Sequence, residues 1–196
     1  MSYLDFLSHF KNGMSKPNRF EAVFNLPPGV SGLGSGNNFV DPDAFSSRLR
    51  SAEQKYNLVG GINIKCHTAT LPQRSIRTYV HNQNSAPFEV PYTSAYDPVT
   101  LMFYADGNLD TRVYMERWQQ TVVNTKSNTL NFYDEFVSDI RIYVLNEADK
   151  RTYGIKLEKA WPLSVGAVDW SYSNIDNATT VVATFAYKRW ERIMDS

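Results

Sequence analysis

The residue types that carry most enzymatic and metal chemistry are few and scattered in this 196-residue sequence. Its three histidines, His9, His67 and His81, stand far apart and have none of the paired spacings that build a zinc site. The single cysteine, Cys66, directly precedes His67. Neighbours along a strand point to opposite faces, so the two are not expected to act as a nucleophile and its base; Cys66 is expected to be a small buried apolar residue. The stretch "GVSGLGSG" is followed by no Gly-Lys-Ser/Thr and reads as a surface loop, not a phosphate cradle. Asp41, Asp43, Asp106 and Asp110 fall in or beside turns, where carboxylates end strands and cap helices, and no two of them stand out as a catalytic pair. Arg74, Arg77, Arg112 and Arg117 read as surface or subunit-contact charges. No metal and no cofactor is expected. A hydrolase would have to draw Asp and His residues from unrelated loops, and its minimum support would be an activity lost on mutating His67.

Aromatic residues are the richer resource: twelve Tyr, eleven Phe and four Trp. Side chains with an apolar body and a polar tip suit half-buried surfaces and subunit interfaces as well as β-rich cores. Trp118, Trp161, Trp170 and Trp190 are therefore assigned to the core or to an interface. Twenty basic residues balance twenty acidic ones, so no polybasic footprint indicates stable binding to nucleic acid or to a membrane. Zero net charge also leaves little self-repulsion between copies, which permits assembly. One cysteine rules out an intrachain disulfide and fits synthesis in a reducing compartment. No apolar run approaches the roughly 20 residues of a membrane span, and the first twenty residues lack the order of a secretion signal, so a soluble protein made in the cytoplasm is expected.

The elements that position these residues are mostly strands. "YLDFLSHFKNG" places Leu4, Leu7 and Phe10 at helical spacing before an Asn-Gly stop. "NRFEAVFNL" alternates Phe20, Ala22, Phe24 and Leu26 against polar residues up to Pro27-Pro28. Residues 27–59, rich in Gly, Ser, Asn and Pro at their start, read as a loop insertion within a single 1–196 domain, with one or two helical turns in "AFSSRLRSAEQKY". "GINIKCHTATL" reads as a strand with Ile62, Ile64 and Cys66 on one face, "RSIRTYV" as a strand that "PFEVPY" can pair, and "DPVTLMFYAD" as a more central strand. "LDTRVYMERWQQTVV" is the best helix, with Tyr114, Met115, Trp118 and Val122 on one face and Asp110 near its favourable N-terminus. After "SDIRIYVLNE" and "RTYGIKLEKAW", Pro162 is expected to end a strand at Trp161. "AVDWSY" and "TTVVATFAY" are then expected to form a hairpin.

"CHTATLPQRSI", the helix "LDTRVYMERWQ" with Trp118, and "KAWPLSVGAVDWSYSNIDNATTVVATFAYKRWE" together resemble the tail tube proteins of contractile-tailed bacteriophages of the T-even type. The matching positions are Cys66, Thr70, Leu71 and Pro72, then Trp161, Pro162, Val165 and Gly166, then Asp169 and Trp170, and finally Tyr187, Trp190 and Glu191. The collinear series covers most of residues 60–191, with "KPNRFEAVF" added near the N-terminus. Residues 27–59 and the basic Lys188-Arg189 depart from the pattern, which keeps a tube-initiating or tube-capping relative as the nearest alternative.

The resemblance implies a mainly β (α+β) fold, a β-sandwich or barrel with flanking helices, whose copies form hexameric rings stacked into a hollow tube inside a contractile sheath. It implies a virion tail assembled in the host cytoplasm. The implied partners are the chain itself, the sheath, the tape measure protein, baseplate and terminator proteins, and DNA that passes without specific binding; no membrane is involved. The type VI secretion tube and other contractile injection tubes share the fold and remain a further alternative. Residues 77–96, taken as a long loop, are expected to reach a neighbouring ring or subunit, with Tyr79, Phe88, Val90, Tyr92 and Tyr96 as interface candidates.

Overall fold

A computed structural model of the chain describes residues 15–25, 27–28, 30, 62–63, 65–82, 86–173 and 177–193. The expected N-terminal helix, Asp41, Asp43, His9 and nearly all of the expected 27–59 insertion lie outside the described residues.

Eleven strands and two helices are described. In chain order they are β1 (Phe20–Phe24), β2 (Cys66–Ala69), β3 (Arg74–His81), β4 (Phe88–Tyr96), β5 (Val99–Tyr104), α1 (Asp110–Val122), β6 (Val123–Asn124), β7 (Thr129–Leu130), α2 (Tyr133–Phe136), β8 (Ser138–Leu145), β9 (Arg151–Val165), β10 (Thr180–Ala186) and β11 (Arg189–Ile193). Seven of the strands join in the order β1-β8-β9-β10-β5-β2, with β11 also on β9, and all pair antiparallel.

The long strand β9 makes this one sheet into two layers. Its first part, through Ala160, pairs with β8 and β11, and Trp161 to Val165 pairs with β10. At the change-over Lys159 adopts φ 52°. Its N–H turns to the Asp139 carboxylate at 3.2 Å, and its ammonium meets Asp134 at 2.7 Å. Beside it the β8–β9 register shifts between Ser138 and Ile140, and a second shift falls in β10 between Thr184 and Phe185. Bulges of this kind bend a strand, and here they turn β9 from one layer into the other.

The core lies between the layers. Alternation in the strands sends Ala22, Phe24, Ile140, Ile142, Ile155 and Leu157 inward from one side, and Leu101, Phe103, Val181, Ala183 and Phe185 from the other. Phe24 of β1 meets Phe103 and Phe185 of the opposite layer with ring centroids 5.6 and 5.9 Å apart. Helix α1 adds Tyr114, Met115 and Trp118, all fully buried; Trp118 lies 5.8 Å from the Phe185 ring and donates its indole N–H to the Phe136 carbonyl at 2.6 Å. The expected buried face of this helix is therefore present, and Asp110 stands in its first turn. A side chain four residues upstream does the capping: Asp106 Oδ1 accepts the Asp110 N–H at 2.9 Å. No helix among the described residues is long and apolar enough to cross a membrane.

Four local expectations are corrected. Ile62, Asn63 and Lys65 are helical, and the strand begins only at Cys66. Residues 77–96 are a β-hairpin for most of their length rather than a loop. Pro162 does not end a strand; β9 runs through it to Val165, because a missing N–H is tolerated where the pairing is already bulged. The partner of β10 is then the end of β9, so Ala167 to Ser171 form no strand and Trp170 is left 69% exposed in a loop. Gly166 closes this corner. Its N–H reaches the Val182 carbonyl at 2.7 Å, and a Cβ there would stand 3.2 Å from Val182 Cβ.

Candidate subunit interface

Among the described residues, those that could carry chemistry are not brought together. His67 projects from the bulged edge of β2, with its ring 4.5 Å from that of Tyr104 and Nδ1 2.8 Å from Thr68 Oγ1. Cys66 lies against the core, and burial pushes its thiol up to about 12, so it stays a neutral, unreactive thiol. His81 is on the β3–β4 hairpin. Asp106 is occupied by Lys65 at 2.8 Å and by the cap of α1, and Arg112 by Glu116 at 2.7 Å and the Gly166 carbonyl at 3.0 Å. Among the described residues no three His, Cys, Asp or Glu side chains are grouped to hold a metal ion.

The conspicuous surface feature is the hairpin β3–β4, a two-stranded sheet set apart from the seven-stranded one. Its pairing runs from Arg74↔Tyr96 to His81↔Phe88, with one shift between Arg77 and Thr78 that leaves Tyr92 as the extra residue. Alternation then places Arg77, Tyr79, His81, Phe88, Val90 and Tyr92 on one face, and the rings confirm it: Tyr79–Tyr92 at 6.3 Å, Tyr79–His81 at 6.5 Å and His81–Phe88 at 5.3 Å. Ile76 and Val80 lie on the other face. Tyr79, Phe88, Tyr92, Ile76 and Val80 are each about half exposed or more.

The root of this arm is fastened to the body. The Arg74 guanidinium sits 5.4 Å from the centre of the Trp190 ring, and Trp190 packs on the core. Tyr96 meets Tyr187 edge-on at 6.2 Å, and the Tyr187 hydroxyl donates to the Asp97 carbonyl at 2.7 Å. Burial, helped by Asp97 and Tyr96, pushes the Tyr187 phenol up to about 12, so the donor persists at physiological pH. On the other flank Thr70 ties the end of β2 to Thr100 through both its N–H and its hydroxyl, and Leu71-Pro72 carry the chain from there into the arm. The sequence-motif residues thus divide by role. Trp118 is core, Trp161 packs on Phe136 beside it, Trp190 holds the arm, Gly166 closes a corner, and Leu71 and Trp170 are exposed.

Of the interface candidates, Tyr79, Phe88 and Tyr92 are exposed on the arm, Val90 is half-buried between them, and Tyr96 is half-buried at the root. Sequence reading missed Ile76 and Val80, although both stand in "RSIRTYV" and would have shown up had the alternation been followed on both faces of the hairpin.

A two-layer β body with a fastened arm that turns apolar side chains to water is a form suited to assembly. The chain belongs to the phage tail tube protein family, whose model matches residues 15–193, and this is a family of structural tube proteins, not of enzymes. Among curated proteins none matches the sequence. Among solved structures the chain is similar to one in the sheath–tube complex of PVC, an extracellular contractile injection system, in its extended state: TM-score 0.58 at 12% identity over 98% of each chain. It is similar to one in the PVC sheath/tube terminator, with TM-score 0.59 at 12% identity over 92% of this chain and 97% of that one. A third similarity is to the tube-terminating cap of the anti-feeding prophage, with TM-score 0.58 at 13% identity over 93% and 92%. At such identities the likeness establishes the fold.

Proposed function

We propose that copies of this chain join into hexameric rings that stack into the inner tube of a contractile phage tail. The observation that carries this reading, in a member of the tube protein family, is the β3–β4 arm with its exposed Tyr79, Phe88 and Tyr92. A two-stranded ribbon is marginally stable by itself in water, and burying its aromatic face on a neighbouring subunit supplies the missing layer. Val90 belongs to the same contact, and Tyr96 holds the arm's root. A head-to-tail contact of this kind closes laterally into a ring and leaves a top and a bottom that stack.

The tube's task is passive. DNA and the tape measure protein pass through the lumen, the sheath surrounds the tube, and baseplate and terminator proteins close its ends, in a virion tail assembled in the host cytoplasm. Each phosphate held by Lys or Arg would add a salt-dependent drag, so balanced charge suits a conduit. A second reading, a tube-end component or the tube of another contractile injection system, is favoured by one observation: the similar folds include chains from a terminator, a cap and a non-phage system.

Negative-stain electron microscopy of the purified protein, together with its mass distribution in solution, tests the proposal. Long hollow tubes or stacked six-membered rings are expected. A stable monomer at high concentration would overturn the tube-body reading in favour of an end component that needs a template.

A further inference from the structure

A second apolar surface stands at the C-terminal end of α1. The short ladder β6–β7 pairs Val123 with Leu130, and the chain leaves it through Phe132 into α2. Val123, Leu130, Phe132 and Tyr133 are 41, 71, 81 and 44% exposed. This knob is stiff because its polar groups are satisfied from within. The Asn124 carboxamide oxygen accepts the N–H groups of Lys126 and Ser127, and the Ser127 and Thr129 hydroxyls bond to each other at 2.7 Å. Asn131 binds the carbonyls of Thr121 and Val122 at the end of α1. A turn that satisfies its own hydrogen bonds and still turns large apolar side chains to water is built to be covered.

The knob's charge identifies what covers it. Asp134 is held by Lys159 at 2.7 Å, but Glu135, exposed beside Phe132, has no ion-pair partner among the described residues. The aromatic face of the β3–β4 arm carries the opposite charge, Arg77, likewise exposed and without an ion-pair partner among the described residues. Head-to-tail assembly needs two different, complementary patches on one chain. Here one is aromatic with an exposed cation, and the other is aliphatic and aromatic with an exposed anion. We infer that the β6–β7 knob, centred on Leu130 and Phe132, is the docking surface for the β3–β4 arm of a second copy of this chain, with Arg77 of the arm facing Glu135 of the knob. This rests on the self-assembly reading above and goes further by naming both halves of the contact.

The test is a set of variants of the full chain, Phe132→Ser, Arg77→Glu, Glu135→Lys and the double reversal. Each is checked for an unchanged thermal melt and then scored by sedimentation for the lowest concentration at which it assembles. Because all three positions are exposed, the fold is expected to survive. Phe132→Ser and each single reversal are expected to raise the assembly concentration by about tenfold or more, and the double reversal to restore most of the loss. If Phe132→Ser assembles like the parent, or the double reversal is no better than the singles, the docking assignment is wrong although the self-assembly reading stands. A parent chain that forms no assembly at all would remove both.

Discussion

Trp118 and Tyr114 lie one turn apart on α1, both fully buried, and their polar atoms fare differently. The Trp118 N–H is bonded to the Phe136 carbonyl, whereas the Tyr114 hydroxyl is buried without a partner among the described residues, and burial raises its phenol well above the ordinary range. Tyr114→Phe should therefore stabilise the chain by about 1 kcal/mol, since a buried unpaired hydroxyl is a cost, whereas Trp118→Phe should destabilise it by about 2 kcal/mol or more. Urea unfolding of the two variants checks both signs. Asp106 offers a pH test. Burial raises its carboxyl, but the Lys65 hydrogen bond, the Asp110 N–H and the Lys65 charge outweigh this and hold it below the ordinary value of 3.8. A depressed folded pKa contributes stability that is present above the unfolded value and is lost as pH falls through the folded one. On acidification below about pH 4, wild-type melting temperature should thus fall more steeply than that of Asp106→Asn. Parallel curves would show that the pair contributes nothing.

At the scale of elements, β9 carries the architecture, and its glycine shows how tightly its outer face is built. A Cβ on Gly154 would stand 2.7 Å from Cδ1 of the Tyr143 ring, which is itself covered by the Arg151 guanidinium at 4.1 Å. Gly154→Ala must displace that stack and should cost about 1–3 kcal/mol in a thermal or urea melt. The arm is the opposite case, an element whose side chains bear little load in the monomer. Tyr79→Ser combined with Tyr92→Ser should leave the melt nearly unchanged and abolish polymerisation; assembly at the parent concentration would remove the arm from the interface. The hairpin pairing of β3 with β4 was legible in "RSIRTYV" and "PFEVPY", because two-residue alternation is a local signal. The partner of β10 was not. "AVDWSY" has strand composition, and only the continuation of β9 through Pro162 takes its place, a choice made by residues some twenty positions apart in sequence.

Over the whole molecule, among the described residues, ion pairs line the outside of the β8–β9–β11 layer: Asp139 to Lys156 at 2.9 Å, Glu158 to Arg189 at 2.6 Å, and Arg189 to Glu191 at 2.9 Å. Exposed pairs add little stability, but a cation held by a carboxylate offers less to a polyanion, and the chain as a whole carries as many acidic as basic residues. We expect the inner wall of the assembled tube to be neutral or acidic; a reconstruction with a strongly positive lumen would overturn this. The strand-rich class, the buried face of α1, the inertness of Cys66 and the resemblance to tail tube proteins were all determined by the sequence itself, since each depends on residue type and near-neighbour spacing. The tertiary structure alone decided that β9 turns between layers at Lys159, that Trp170 is left outside while Trp190 clamps the arm, and that Arg77 and Glu135 have no ion-pair partner among the described residues. These depend on which distant strands pair and which side chains are thereby left uncovered, and no local pattern encodes that.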